Sequence, residues 1–154
     1  ITTGGNAKAL FDAGVLASFS YLYKKPDGSY DADWNPQTDY QAYLDDNTAS
    51  HLVHFELAAN QAEQTEAIIT QKYIALNFIH GHEAWNEYRR TRYPAIVNNS
   101  SDPYQTFAST QSISTRPDKL PTRVLYPNTE ASNNSTNMPK GISPFSSLIF
   151  WAMQ

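Results

Sequence analysis

The sequence predicts an all-α chain with a long loop-rich C-terminal region. Two long windows, Asn6 to Lys24 and about Glu63 to Ile79, carry apolar side chains at helical spacing and no proline. From Ala95 to Gln154 the composition turns to Asn, Ser, Thr and Pro with scattered aromatics, and no window keeps a helical or a two-residue period.

The first helix opens at Asn6, a residue whose short amide accepts from free backbone N–H groups, and runs through "NAKALFDAGVLASFSYLYK" with Gly14 as its one weak breaker. At 100° per residue Phe11, Val15, Phe19 and Leu22 fill one face, while Leu10, Ala13, Ala17 and Tyr21 fill another. A helix apolar on two faces is expected to be buried on most sides. Residues 25–37, "KPDGSYDADWNPQ", carry Pro-Asp-Gly and Asn-Pro turn signals and read as a loop with two exposed aromatics, Tyr30 and Trp34. "TDYQAYLDD", 38–46, reads as a short helix capped by Thr38.

The second long helix is also two-sided, with Ile68, Ile69, Ala75, Leu76 and Ile79 on one face and Ala67, Ile74 and Phe78 on the other. "HGH" then breaks the chain, and Glu83 to Tyr93 is helical until Pro94. Beyond it a short strand is expected at 122–126, "TRVLY". The apolar "SSLIFWAM" near the end calls for a core to dock on. Together these elements read as one domain, a helical part over 1–94 and a loop-rich extension over 95–154 packing on it. Two long helices with two apolar faces each leave too little covering protein, so more protein is expected to pack on them.

The chain has 154 residues, enough for one domain, and a net charge of −4 with 17% charged residues. That balance gives no global attraction to nucleic acid or to an anionic membrane surface. Without cysteine, disulfides, thiolate nucleophiles and Cys-ligated metals are excluded. No apolar run approaches the ~20 residues needed to span a bilayer. The sequence begins at Ile1 with no charged n-region or apolar h-region, and reads as part of a longer protein.

"EAWNEYRRTRYP", 83–94, concentrates the charge. On a helical wheel Glu83, Glu87 and Arg90 share one face, and Trp85, Tyr88, Arg89 and Arg92 lie on the other. The two carboxylates stand at i,i+4, roughly 6 Å apart, near the separation of glycosidase pairs. A general acid needs a raised pKa, however, and Arg90 works against it. Arg89 and Arg92 beside aromatics could stack bases, but the same pairs describe cation–π contacts in a packed helix. Lys72 lies at the centre of an apolar face, where an unpaired ammonium is unfavourable. A network of Lys72 with Glu83 or Glu87 and on to Arg90 would fix the angle between two consecutive helices.

These residues carry a resemblance. "IITQKYIALNFIHGHEAWNEYRRTRYPAI" (68–96) followed by "LPTRVLYPNTEASNN" (120–134) resembles the C-terminal region of the SusD/RagB family of surface nutrient-binding lipoproteins of Bacteroidetes. Gln71, Lys72, Tyr73, Glu83, Trp85, Glu87, Arg89, Arg90, Thr91, Pro94, Pro121, Arg123, Tyr126, Pro127, Glu130 and Asn133 fall on the family pattern. The ending "LIFWAMQ" departs from the Trp-Trp-Asp-like ending of relatives, and the lipid-bearing Cys and the helical-repeat half are not in this stretch.

The resemblance implies a helical-repeat, TPR-like SusD-type fold, present here as its C-terminal portion. It further implies attachment to the outer face of the outer membrane through a lipid anchor; the net negative charge and the lack of another basic cluster speak against a nucleic-acid partner. The function implied is non-catalytic capture of oligosaccharide or peptide for a SusC-type TonB-dependent transporter, without a cofactor. A purely structural interaction module and a glycan hydrolase using Glu83 and Glu87 are the alternatives.

A sugar site sets aromatic faces against pyranose C–H surfaces and lets amides and carboxylates take the hydroxyls. Tyr30, Asp33, Trp34, Asn35 and Tyr40 supply that chemistry around one loop and are the ligand-binding candidates. His51-x-x-His54 and His80-x-His82 have no carboxylate at useful spacing and read as polar surface or capping residues, not metal ligands. "TTGGNAK", 2–8, lacks the phosphate-loop spacing and reads as a helix start. The Asn98, Asn99, Asn133 and Asn134 sequons carry no meaning in the bacterial setting the resemblance implies.

Overall fold

The computed structural model describes residues 6–149, and among them the regular structure is helical with no strand. The helices are α1 (Ala7–Tyr23), α2 (Pro36–Asp46), α3 (Gln61–Leu76), α4 (Gly81–Thr91) and α5 (Asn128–Asn133), with a 3-10 turn at Phe55–Leu57. The chain divides into two compact units, one running to Glu87 and the other beginning at Tyr88.

Helix starts follow side-chain chemistry. Asn6 accepts from Ala9 N at 3.3 Å and opens α1. For α2 the cap is Asn35, not Thr38: its Oδ1 accepts from Gln37 N (3.0 Å) and Thr38 N (3.1 Å). Pro36 takes the first helical position, where its fixed φ and missing N–H are no handicap. Helix α3 begins two residues before Glu63, behind an Asn60 cap that Glu63 reinforces. Asn60 Oδ1 accepts from Glu63 N (3.0 Å), and Glu63 Oε2 accepts from Ala59 N (2.7 Å). It ends at Leu76 instead of Ile79, because Phe78 turns to a left-handed φ of 63° and Asn77 closes the last turn.

The first unit is built on a small core of Phe11, Val15, Phe55 and Ala67, with Phe19, Tyr40 and Tyr43 packed against it. Phe11 and Phe55 meet at 5.2 Å between ring centroids, and Ala67 is 0% exposed, so no larger side chain fits there without displacement. Gln71 ties three segments together by donating from Nε2 to Tyr43 Oη (2.9 Å) and to Leu52 O (2.8 Å). An amide NH2 has two hydrogens, so both bonds are satisfied.

Neither long helix is fully buried. Leu10 is 66% and Leu22 57% exposed on α1, and Ile68 and Ile74 are exposed on α3. Between them runs an apolar groove of ≈ 570 Å³ with Phe11, Gly14 and Ala75 in its lining. A Cβ added at Gly14 would meet nothing within 4 Å.

The second unit holds its loops by side-chain clamps. The segment expected to be a strand at 122–126 is not one: Thr122 N donates to Pro144 O at 2.6 Å, and its hydroxyl reaches Pro144 O and Ser147 O at 2.8 and 3.0 Å. Its polar groups are answered by a loop, so no ladder forms. A second clamp is Arg116, which holds Asp118 in a two-pronged contact at 3.0 and 2.9 Å while Leu120 N donates to the same carboxylate at 3.1 Å. Burial pushes the Asp118 carboxyl up, but the Arg116 and Leu120 bonds outweigh it and leave it below its ordinary value of 3.8. The apolar tail segment "SSLIFWAM" falls partly outside the described residues.

Two outcomes test this description. Gly14→Ala should raise stability by about 1 kcal/mol, since a methyl meets open space and glycine is unfavourable in a helix interior. A lower urea midpoint instead would show that other protein packs against Gly14. Asp118→Asn should lose about 1 to 3 kcal/mol at neutral pH. Because the folded pKa is depressed, the Asp118 contribution is present above the ordinary carboxylate pKa and lost as pH falls through the folded value. The two proteins should therefore converge in stability only in acid.

Candidate functional site

The loop between α1 and α2 is held by its own hydrogen bonds. Lys24 and Tyr30 pair in an isolated antiparallel bridge, and Lys25 N donates to Ser29 O at 2.8 Å. The turn needs Gly28, whose φ of +86° is unfavourable for side-chain-bearing residues. Asp27 pins the turn by accepting from Ser29 N (2.9 Å) and Ser29 Oγ (2.7 Å). The Ser29 hydroxyl, more than the amide, holds the Asp27 carboxyl below its ordinary value. Lys25 and Asp31 add an exposed ion pair at 3.2 Å, and Trp34 N donates to Asp31 O at 3.2 Å.

On this frame Trp34 is 53% exposed. Tyr23, the last residue of α1, meets it edge-on at 4.8 Å between centroids and 64° between planes. Burial above all, and then the Asp39 carboxylate, raise the Tyr23 pKa above 10.0. Sequence reasoning missed Tyr23; its signal was the four-residue spacing from Phe19, which places both rings on one face of α1.

The five candidates divide by placement. Trp34, Tyr30 and Asp33 are exposed on the loop. Asn35 is exposed too, but its carbonyl oxygen serves as the α2 cap, leaving only its NH2 for a ligand. Tyr40 is half-buried against Phe19, with centroids 6.2 Å apart, and burial raises its hydroxyl pKa.

Across the α3–α4 corner, Lys72 Nζ donates to Glu83 Oε2 at 3.1 Å and to Glu87 Oε1 at 2.7 Å. The bond to Glu87 is the main cause of a Lys72 pKa above 10.5, with burial opposing it. The cleft beside the two carboxylates, walled by Ile69, Tyr73, Leu76 and Ala84, has no water-sized space. Arg90 follows Glu87 by three residues on α4. In the second unit Arg89 Nη1 donates to Thr122 O at 3.3 Å, and Arg92 lies 5.9 Å from the Tyr88 ring, which packs edge-on against Phe107.

The histidines correct one reading. His51 does have a carboxylate partner, Glu66 at 3.3 Å, and His54 stands 3.5 Å from Glu56 while its Nε2 reaches Leu44 O at 3.1 Å. Glu66 is fifteen residues away and invisible to short-spacing arguments. Among the described residues no group of three metal-binding side chains forms.

Helices enclosing a small, largely aromatic core, followed by a unit of clamped loops, define a helical scaffold. The chain belongs to the SusD-like family, described as SusD and RagB outer membrane lipoprotein, which it matches over residues 1–147. That family is one of outer-membrane nutrient-binding lipoproteins, generally non-catalytic. No curated protein and no solved structure matches the chain. Among the described residues no helix is long and apolar enough to cross a membrane.

Replacing Lys72 by Met should lower stability by about 1 kcal/mol, a figure reduced for the solvent that reaches the ammonium. A raised folded pKa gives a contribution fully present below 10.5 and lost as pH climbs through the folded value. Denaturation of both proteins across alkaline pH should show the difference shrinking there, and a gap that persists would rule out an ionic origin.

Proposed function

We propose that this protein is the non-catalytic substrate-binding component of an outer-membrane glycan import complex, lipid-anchored at the outer surface and working with a SusC-type TonB-dependent transporter. Family membership supports the binding role. The observation that carries a glycan ligand is the half-exposed Trp34 ring, backed edge-on by Tyr23 and set on a loop held by its own hydrogen bonds. A pyranose presents a C–H face that such a ring covers, and its hydroxyls need the polar groups that stand beside it. In this reading Trp34 and Tyr30 are the stacking surfaces, Asp33 and the Asn35 NH2 take hydroxyls, and Tyr40 acts indirectly through Phe19, which both Tyr40 and Tyr23 meet.

Glu83 and Glu87 are assigned to structure. One ammonium holds both, and the cleft between them and α3 has no water-sized space. With Arg90 further along the same face, they serve to set the α3–α4 corner.

Dialysis of the intact protein against pooled oligosaccharides and peptides, with retained species identified by mass, tests the proposal. Intact oligosaccharides should be retained. Trp34→Ala should weaken retention by about tenfold or more, in line with the worth of one aromatic stacking contact, and leave far-UV circular dichroism unchanged. Shortened products would speak for hydrolysis, and retained peptides for a different nutrient.

A further inference from the structure

Resting on the glycan reading above, we propose that the Trp34 platform takes uncharged pyranose oligosaccharides and turns away uronate- or sulfate-bearing ones, and that Asp33 is the residue that sets the difference.

Most carboxylates around the platform already have a neighbour. Asp27 is bonded to Ser29 and Asp31 is paired with Lys25, while Asp39 sits in the first turn of α2, near enough to Tyr23 to raise its pKa. Asp33 is exposed, adjacent to Trp34 in the chain, and has no partner among the described residues. A free carboxylate is acceptor-only, with two oxygens, and suits a vicinal diol that offers two O–H donors side by side. A neutral sugar stacked on Trp34 meets that need.

The same feature is unfavourable for an anionic sugar. Over residues 24–39 four carboxylates stand against two lysines, and Lys25 is already paired with Asp31. A uronate or sulfate set beside Asp33 repels it and gains no hydrogen bond, because neither group has a donor at neutral pH. Two like charges about 7 Å apart near water correspond to a roughly threefold loss in affinity, and the loop's net charge raises the total to about tenfold at low salt. Nothing in the stacking geometry itself discriminates, since a uronate ring has C–H faces as well. Charge is therefore the selecting property, and it resides in a residue that can be changed without touching the aromatic contact.

The experiment uses the full-length protein and two pools of matched chain length. One holds neutral cello-, malto-, xylo- and manno-oligosaccharides; the other holds oligogalacturonates and chondroitin oligosaccharides. Retention is measured by dialysis and mass at low salt and at about 0.3 M salt, for the parent, Asp33→Asn and Trp34→Ala. The expected result is preferential retention of neutral species by the parent at low salt, a smaller preference at high salt, and a preference reduced several-fold in Asp33→Asn. Loss of neutral retention in Trp34→Ala, with the fold intact by circular dichroism, ties the effect to this platform.

Anionic oligosaccharides held as well as neutral ones overturn the inference while leaving glycan capture standing. So does an Asp33→Asn protein with an unaltered preference, or neutral retention indifferent to Trp34. Retention of neither pool overturns the glycan reading itself, and this inference with it.

Discussion

An aromatic succession centred on Phe19 connects the core of the first unit to its surface loop. Phe19 meets Tyr43 at 5.9 Å, Tyr40 at 6.2 Å and Tyr23 at 6.0 Å, and Tyr23 meets Trp34 at 4.8 Å. The rings come from α1, α2 and the loop between them, so each fixes the placement of the next. Gln71 joins α3 to this arrangement through the Tyr43 hydroxyl. A half-exposed Trp on a loop would ordinarily sample several rotamers; here its inner edge is set by a tyrosine that itself packs edge-on against Phe19. Ring pairs of this geometry each contribute about 0.5 to 1.5 kcal/mol beyond area burial. The succession thus stabilises the unit and orients its candidate binding surface with the same contacts.

The helical class was legible because long proline-free windows with apolar spacing leave little choice of structure. Boundaries were less legible, for identifiable reasons. Asn35-Pro36 reads equally as a turn and as a cap followed by a first-position proline, and only the direction of the Asn35 side chain separates the two. The capping pair Asn60 and Glu63 was present in the sequence, but the apolar period drew the start inward to Glu63. Residues 122–126 have the β-branched and aromatic content of a strand without a partner to form a ladder, and pairing is a property of two segments. The short α5 was not expected, since six residues are too few to show a period.

For the site, residue types were legible and their availability was not. Tyr30, Asp33 and Trp34 could be picked out by chemistry alone. That Asn35 is partly committed to a helix start, and Tyr40 to packing, follows from contacts that no spacing rule encodes. Tyr23 was overlooked because a tyrosine at the end of a helix looks like any other apolar position. The pairing of His51 with Glu66 is long-range in the same sense.

The edge-on seating of Trp34 against Tyr23 has an optical consequence. An indole with one side against a phenol ring and the other in water sits at a polarity boundary, so its emission responds to whatever displaces that water. At 4.8 Å the tyrosine is well placed to pass excitation to it. The protein carries three tryptophans, and Trp34 is the one seated on the candidate platform. With the other two tryptophans replaced by phenylalanine, its fluorescence would register without a label whatever comes to lie on the candidate platform.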